Sequence, residues 1–322
     1  MSVYTDARSI PGKKGAAGVD ERQLFLVEFG GMVIQAYDEA LDYDGMSYVK
    51  NITQGKSDTF PVIGRKRDAA EHQPGEIILG GGIVHDEVQI DVDNILVDSA
   101  FIAEIDELLI HYNLSEPYAK QIGQSLGTTN TKRIAIMHIL ASRAAAASGP
   151  GQPVPAYYFH ADLKTDASKL EDAAFKSAAY LLTNDISGEK PKIMLPHQQM
   201  LLLARYAGIE GGPVTTGSAN RASGTVGMIA GLATQGTNNI PNTNITTGLA
   251  KYRGDFSTTV GHCSSKMAVG TLERRAMKVV MKQQDDRLGT LLIGSMLNGH
   301  GKLRNECAIE WRTNAISGRT AL

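Results

Sequence analysis

Cysteine is nearly absent. Cys263 and Cys307 are the only two in 322 residues, and they form no C-x-x-C pair. That spacing excludes a disulfide framework and a structural zinc site, and it fits a reducing cytosol. No run approaches the roughly 20 apolar residues that a membrane-spanning helix needs. The polar, Gly-rich stretch Met1–Gly18 has none of the apolar centre of a secretory signal. The expectation is a soluble protein, intracellular when made, with no membrane partner. An excess of positive charge is missing too: 32 Lys and Arg face 34 Asp and Glu, for a net charge of −2. A protein that grips nucleic acid over a large face carries surplus Lys and Arg to displace counterions. No internal repeat of about 20 to 50 residues is present, which excludes a solenoid.

Complete catalytic motifs are lacking as well. Gly123-Gln124-Ser125-Leu126-Gly127 matches G-x-S-x-G letter for letter. A nucleophile elbow needs a strand before the serine and a helix after it, whereas this pentapeptide sits inside a helical pattern. Its small residues are better explained by two elements that approach closely. Gly55-Lys56-Ser57 and Gly301-Lys302 fall short of a P-loop, because Lys50 and Met296 stand where its first glycine belongs. Both read as turns. Gly80–Gly82 does not complete G-x-G-x-x-G, since His85 occupies the third position. Asp91, Asp93 and Asn94 hint at a calcium loop, but Ile95 and Leu96 replace a ligand and the required glycine. The eight histidines are scattered without H-E-x-x-H spacing. His262-Cys263 reads as a polar turn beside a small buried thiol. The sequence therefore predicts no catalytic residues, no metal ligands and no cofactor.

What is present is a succession of elements of very different character. Met1–Gly18 has little to bury and reads as a flexible arm. A short helix follows over Asp20–Tyr37. Tyr48–Gly64 turns extended, with a bend at Gly55. Val88, Ile90 and Val92 then alternate with Gln89, Asp91 and Asp93, the period of a strand with one wet face. Phe60–Asp93 reads as a long two-stranded ribbon with a glycine-softened tip. Such a ribbon is marginal in water unless another molecule covers it. Ile102–His111 reads as a short helix. Ser115, with Pro117 in the first turn, opens a helix running toward Gly149-Pro150, roughly 50 Å long. Gly123, Gly127 and Thr128-Thr129 weaken its middle and allow a kink. Helices over Ala167–Asn184 and His197–Tyr206 flank a short strand at Ile193–Leu195. Between Gly211 and Ala250 the only charged residue is Arg221, which suggests strands and loops packed against a neighbour. Met277–Met281, Thr290–Leu297 and Ala308–Trp311 read as strands.

Several stretches resemble, in order along the chain, the major capsid proteins of short-tailed, T7-like phages. They are Leu24–Gly31 (LFLVEFGG), Ile52–Arg65 (ITQGKSDTFPVIGR) and Ile90–Leu126. They continue with Gly227–Pro241 (GMIAGLATQGTNNIP), Ala268–Thr271 (AVGT) and Asn298–Arg304 (NGHGKLR). The resemblance implies an α+β chain with the HK97-type capsid fold: N-arm, extended β-hairpin E-loop, P-domain with a long spine helix, and A-domain. The boundaries it implies are an N-terminal arm over 1–48, E-loop over 49–98, P-domain over 99–190, A-domain over 191–270, and C-terminal strands over 271–322.

The implied function is self-assembly into hexamers and pentamers of the icosahedral head of a tailed DNA virus. A scaffold would assist assembly in the host cytoplasm, and the head would expand as DNA is packaged. Implied partners are further copies of the chain, a scaffolding protein, a portal at one vertex, optionally a decoration protein, and double-stranded DNA enclosed without specific binding. Intersubunit contacts are expected from Arg65, Lys66, Arg67, Asp68, His85, Asp86, Glu87, Asp91 and Asp93, the charged residues of the ribbon. An encapsulin-like nanocompartment shell would share the fold but enclose protein cargo. A serine hydrolase would be labelled at Ser125, and a small-molecule-binding α+β protein would run as a compact monomer.

Overall fold

The computed structural model describes residues 21–63, 69, 71–75, 77, 83, 85–103, 105, 115–145, 153–186, 190–207, 219–220, 224–284, 286–319 and 321–322. The arm over Met1–Gly18 and the glycine tip lie outside them. Helices are α1 (Glu21–Glu39), α2 (Ser115–Arg143), α3 (Ala167–Thr183) and α4 (His197–Ala207). Strands β1 to β6 are Tyr48–Asn51, Ser57–Ile63, His85–Asp91, Leu96–Ala103, Ala156–Phe159 and Lys192–Leu195. Five strands of two to five residues follow as β7 to β11: Ala219–Asn220, Thr225–Val226, Met228–Ile229, Leu232–Gly236 and Asn244–Ile245. The remainder are β12 (Gly254–Asp255), β13 (Thr259–Ser264), β14 (Val269–Gln284), β15 (Gly289–Lys302) and β16 (Ala308–Arg312).

The chain divides into two compact units. The first comprises Met1–Leu41, Asn94–Asn130 and Arg275–Leu297. In it α1 packs on the first turns of α2, and both cover strands of β4, β14 and β15. Phe29, Val33, Ala119, Ile122, Leu126, Leu292 and Met296 form its core. Gly123 and Gly127 are what let the helices meet. A Cβ at Gly123 would run into the Val33 carbonyl, and one at Gly127 would lie 2.8 Å from Ala36's successor on that face, Ala40 Cβ. The close-approach reading of the G-x-S-x-G pentapeptide holds, and α2 runs unbroken through it because tertiary packing outweighs weak propensity. The residues expected to begin a short helix, Ile102 and Ala103, instead close β4. They pair with Thr290 and Gly289 on β15, and strand pairing overrides the local helical pattern. Most of the rest of that expected helix, Asp106–His111, lies outside the described residues.

The second unit comprises Asp42–Asp93, Thr131–Arg274 and Asn298–Leu322. Its six-stranded sheet runs β5-β16-β13-β6-β10-β9. β13 is buried along its whole length, so the expected polar turn at His262-Cys263 is in fact the middle of a core strand. α3 starts where Asp166 accepts a hydrogen bond from the Ser168 amide at 2.9 Å. The Trp311 indole donates to Ser177 Oγ at 2.9 Å across the core. α2 ends at Arg143, whose guanidinium forks onto the fully buried Glu310 carboxylate at 2.7 and 2.6 Å. The low-charge segment is partly internal: Val226 and Leu232 are buried in this core, and β10 pairs in parallel with β6. Gly301-Lys302, expected as a turn, belongs to β15, which extends well past the expected Leu297.

Candidate assembly surface

β2 and β3 form the expected antiparallel ribbon, in register from Ser57↔Asp91 to Ile63↔His85. Its base is fixed to its own unit. Ile90 is buried because Gly270 and Gly301 leave room for it: a Cβ at either would lie 2.7 Å from an Ile90 carbon. Gly299 admits the backbone of Asp91 and Val92 in the same way. Phe60 is also buried, edge-on to the Tyr48 ring at 6.0 Å and beneath the Lys50 ammonium at 5.5 Å. Lys50 pairs with Asp58 at 2.7 Å, and Arg274 and Arg304 hold the carbonyls of Gly55 and Ile63.

Beyond the base the ribbon faces solvent. His85, Asp86, Glu87 and Asp91 on β3 are exposed as expected. Asp86 accepts from the Glu87 amide at 2.9 Å, and Asp91 accepts from Gln89 at 3.2 Å. Arg65, Lys66, Arg67 and Asp68 lie outside the described residues. Ile63 at the end of β2, and Ile77 and Ile83 between the two strands, are exposed apolar side chains, Ile77 at 85%.

Asp93 differs from the expectation. Its side chain is only 3% exposed and is bound by Lys251, by Arg133 at 3.5 Å and by the Tyr252 hydroxyl at 2.5 Å. Lys251 also donates to the His300 carbonyl at 3.0 Å. Burial, with Asp93 alongside, pushes the Tyr252 phenol well above its ordinary range, so it remains a donor. Asp93 therefore anchors the ribbon within its own chain rather than offering charge to a second subunit. Sequence reasoning missed Arg133, Lys251, Tyr252 and the glycines 270, 299 and 301. Only their meeting in space gives them this role, although the glycines fall inside two of the stretches that carried the family resemblance.

Ser125 is exposed on α2, and among the described residues no imidazole or carboxylate hydrogen-bonds to its hydroxyl. Among the described residues there is no group of three or more His, Cys, Asp or Glu side chains placed to hold a metal, and no helix is long and apolar enough to cross a membrane.

The family model described as "Gp10A-like: Major capsid protein" matches residues 59–312. The chain belongs to this major capsid protein family. It is a structural family, not an enzyme family. The major capsid protein of Escherichia phage T7 is 36% identical over 117 residues, which is 36% of this chain and 34% of the T7 protein. The matched stretch thus spans about a third of the length of the curated relatives. Among solved structures, the capsid of cyanophage P-SCSP1u superposes with a TM-score of 0.73 at 26% identity, covering 85% of this chain and 88% of that one. The asymmetric unit of the bacteriophage PhiM1 mature capsid gives a TM-score of 0.71 at 17% identity, over 85% and 87% of the two chains. The fold is the HK97-type capsid fold, an α+β architecture.

Proposed function

We propose that this capsid-family chain builds the icosahedral head of a tailed phage, assembling as hexamers and pentamers. The observation that carries this reading is the β2–β3 ribbon, anchored at Phe60, Ile90 and Asp93, with Ile63 at the end of β2 and Ile77 and Ile83 between the two strands all exposed. A two-stranded ribbon leaves those side chains in water, whereas a second copy can cover them. The boundaries implied by the resemblance carry over: arm 1–48, E-loop 49–98, P-domain 99–190, A-domain 191–270 and C-terminal strands 271–322. Arg65, Lys66, Arg67, Asp68, His85, Asp86, Glu87 and Asp91 are the residues through which the ribbon meets its neighbour. Exposed ion pairs contribute about 0 to 1 kcal/mol each. Repetition around a closed shell multiplies weak contacts while leaving each one correctable. A scaffolding protein, a portal, packaged double-stranded DNA and a decoration protein are the partners of this reading, with assembly in the host cytoplasm.

The test is negative-stain electron microscopy of purified protein, expressed with and without its scaffold. Closed shells or six-fold capsomers are expected, and the paired substitution Asp86→Lys, Glu87→Lys should lower the yield of closed particles. A particle that stays monomeric with scaffold and at high concentration would overturn the proposal.

A further inference from the structure

Three histidines are buried, His138, His262 and His300, and the first two grip the segment that joins α1 to β1. His138 of α2 and His262 of β13 stack at 5.3 Å with a 10° angle between rings. His138 Nε2 lies 2.9 Å from the Met46 carbonyl, which can only accept, so this nitrogen carries the proton. His138 Nδ1 is then a bare lone pair, and it is buried without a hydrogen-bond partner. His262 Nε2 lies 2.7 Å from the Tyr43 hydroxyl and its Nδ1 lies 3.0 Å from Ser264 Oγ. A neutral His262 satisfies both contacts when Tyr43 donates to Nε2 and Nδ1–H donates to Ser264.

We propose that His138 and His262 form a proton-sensitive latch on residues 42–47: as neutral rings they hold Tyr43 and Met46, and protonation of either ring releases the segment. A proton on His138 Nδ1 would be a buried donor with no acceptor. A proton on His262 Nε2 would displace the one that Tyr43 donates. Either charge would also sit against the other ring in a site shut off from water.

The acids facing the pair from each packed element are already engaged: Glu310 of β16, opposite His262 in the β13–β16 register, is held by the Arg143 guanidinium and the Thr259 hydroxyl. From the segment itself, Asp42 is bound to Thr237 at 2.5 Å and Asn239 at 2.7 Å, and Tyr43 is kept neutral by burial. β13 contributes Ser264, and Cys263, whose thiol burial pushes up to about 12. β15 contributes His300, which contacts Thr271 at 3.0 Å, with the cations Lys251 and Arg133 beyond it gathered on Asp93. These cations and His138 reinforce burial in holding His300 neutral. Burial holds His138 down at about 4, and burial with His138 alongside holds His262 well below its usual value.

Hydrogen exchange of the full-length protein at pH 7.5 and pH 5.0, corrected for intrinsic rates, tests the latch. Protection of peptides covering 40–51 should fall roughly 30-fold at pH 5.0 from His138 alone, given its folded value against that of an exposed imidazole. Peptides within α3 should keep theirs. His138→Gln, which retains a donor for the Met46 carbonyl but cannot take up the proton, should remove the roughly 30-fold share that His138 carries and leave the share of His262; His262→Gln serves if that variant does not fold. Equal protection of 40–51 at both pH values in the wild-type protein would overturn the proposal, whatever the variants do. So would a folded His138→Gln protein that responds as fully as wild type. The latch belongs to the fold of one chain, so it stands or falls separately from shell assembly.

Discussion

Gly123 and Ser125 sit two residues apart on α2 and answer to different demands. The α-hydrogen of Gly123 is all that separates it from the Val33 carbonyl of α1. Gly123→Ala should destabilise the first unit by about 1 to 3 kcal/mol through overpacking, seen as a lower melting temperature. Ser125→Ala changes an exposed side chain and should leave the melting temperature within about a degree, as surface substitutions do. A serine-directed probe should label neither protein. At Glu310 the stakes are those of a buried charge. Arg143→Leu leaves that carboxylate with Arg312, 3.8 Å away, as its remaining cation. The cost should be about 3 to 5 kcal/mol, measured by thermal or denaturant unfolding. The fork itself was beyond the sequence's reach, because Arg143 and Glu310 are 167 positions apart.

Among the elements, the ribbon separates what local pattern specifies from what packing specifies. Alternation of Val88, Ile90 and Val92 with polar residues predicts a strand, and the pairing with β2 begins and ends near the expected residues. The same alternation places Asp91 and Asp93 on one wet face, and there it fails. The strand ends at Asp91, so Asp93 is no longer bound to the period and turns toward Lys251, Arg133 and Tyr252. Asp93→Asn should loosen the ribbon's base, raising hydrogen exchange in 57–63 and 85–91 while α3 is unaffected. Ile90→Ala should act on the same peptides and cost about 2 to 5 kcal/mol, because Gly270 and Gly301 cannot fill the space it vacates. The helix expected from Ile102 was lost to a comparable competition. Ile102 and Ala103 instead complete the eight-residue register of Leu96–Ala103 with β15, and that pairing decides for strand.

For the whole molecule, the buried histidines set an acid limit. His138 is held at about 4 and His300 at about 3, both below the value of an exposed imidazole. The unfolded chain therefore binds more protons than the folded one below about pH 6.5, so stability is full above that pH and is lost as pH falls toward 4. For His138 the loss amounts to about 3 kcal/mol by pH 4. Melting temperatures measured from pH 7.5 to 4 should decline steadily below about 6.5, and a flat profile would contradict the burial of these rings.

Composition alone set aside a disulfide scaffold and a strongly basic nucleic-acid binder, and period and order along the chain placed most helices and strands. Those features are local, since a helix or strand repeats every few residues and leaves its mark in a short window. The resemblance of ordered stretches added the fold. What only tertiary structure decided is which side chains meet: Asp93 with two cations, Glu310 with Arg143, His138 with His262, and Ile90 with the gaps at Gly270 and Gly301. Each joins residues far apart in the chain. No local period encodes such a pairing, because its energy comes from excluding water around groups that are neighbours only once the chain has folded.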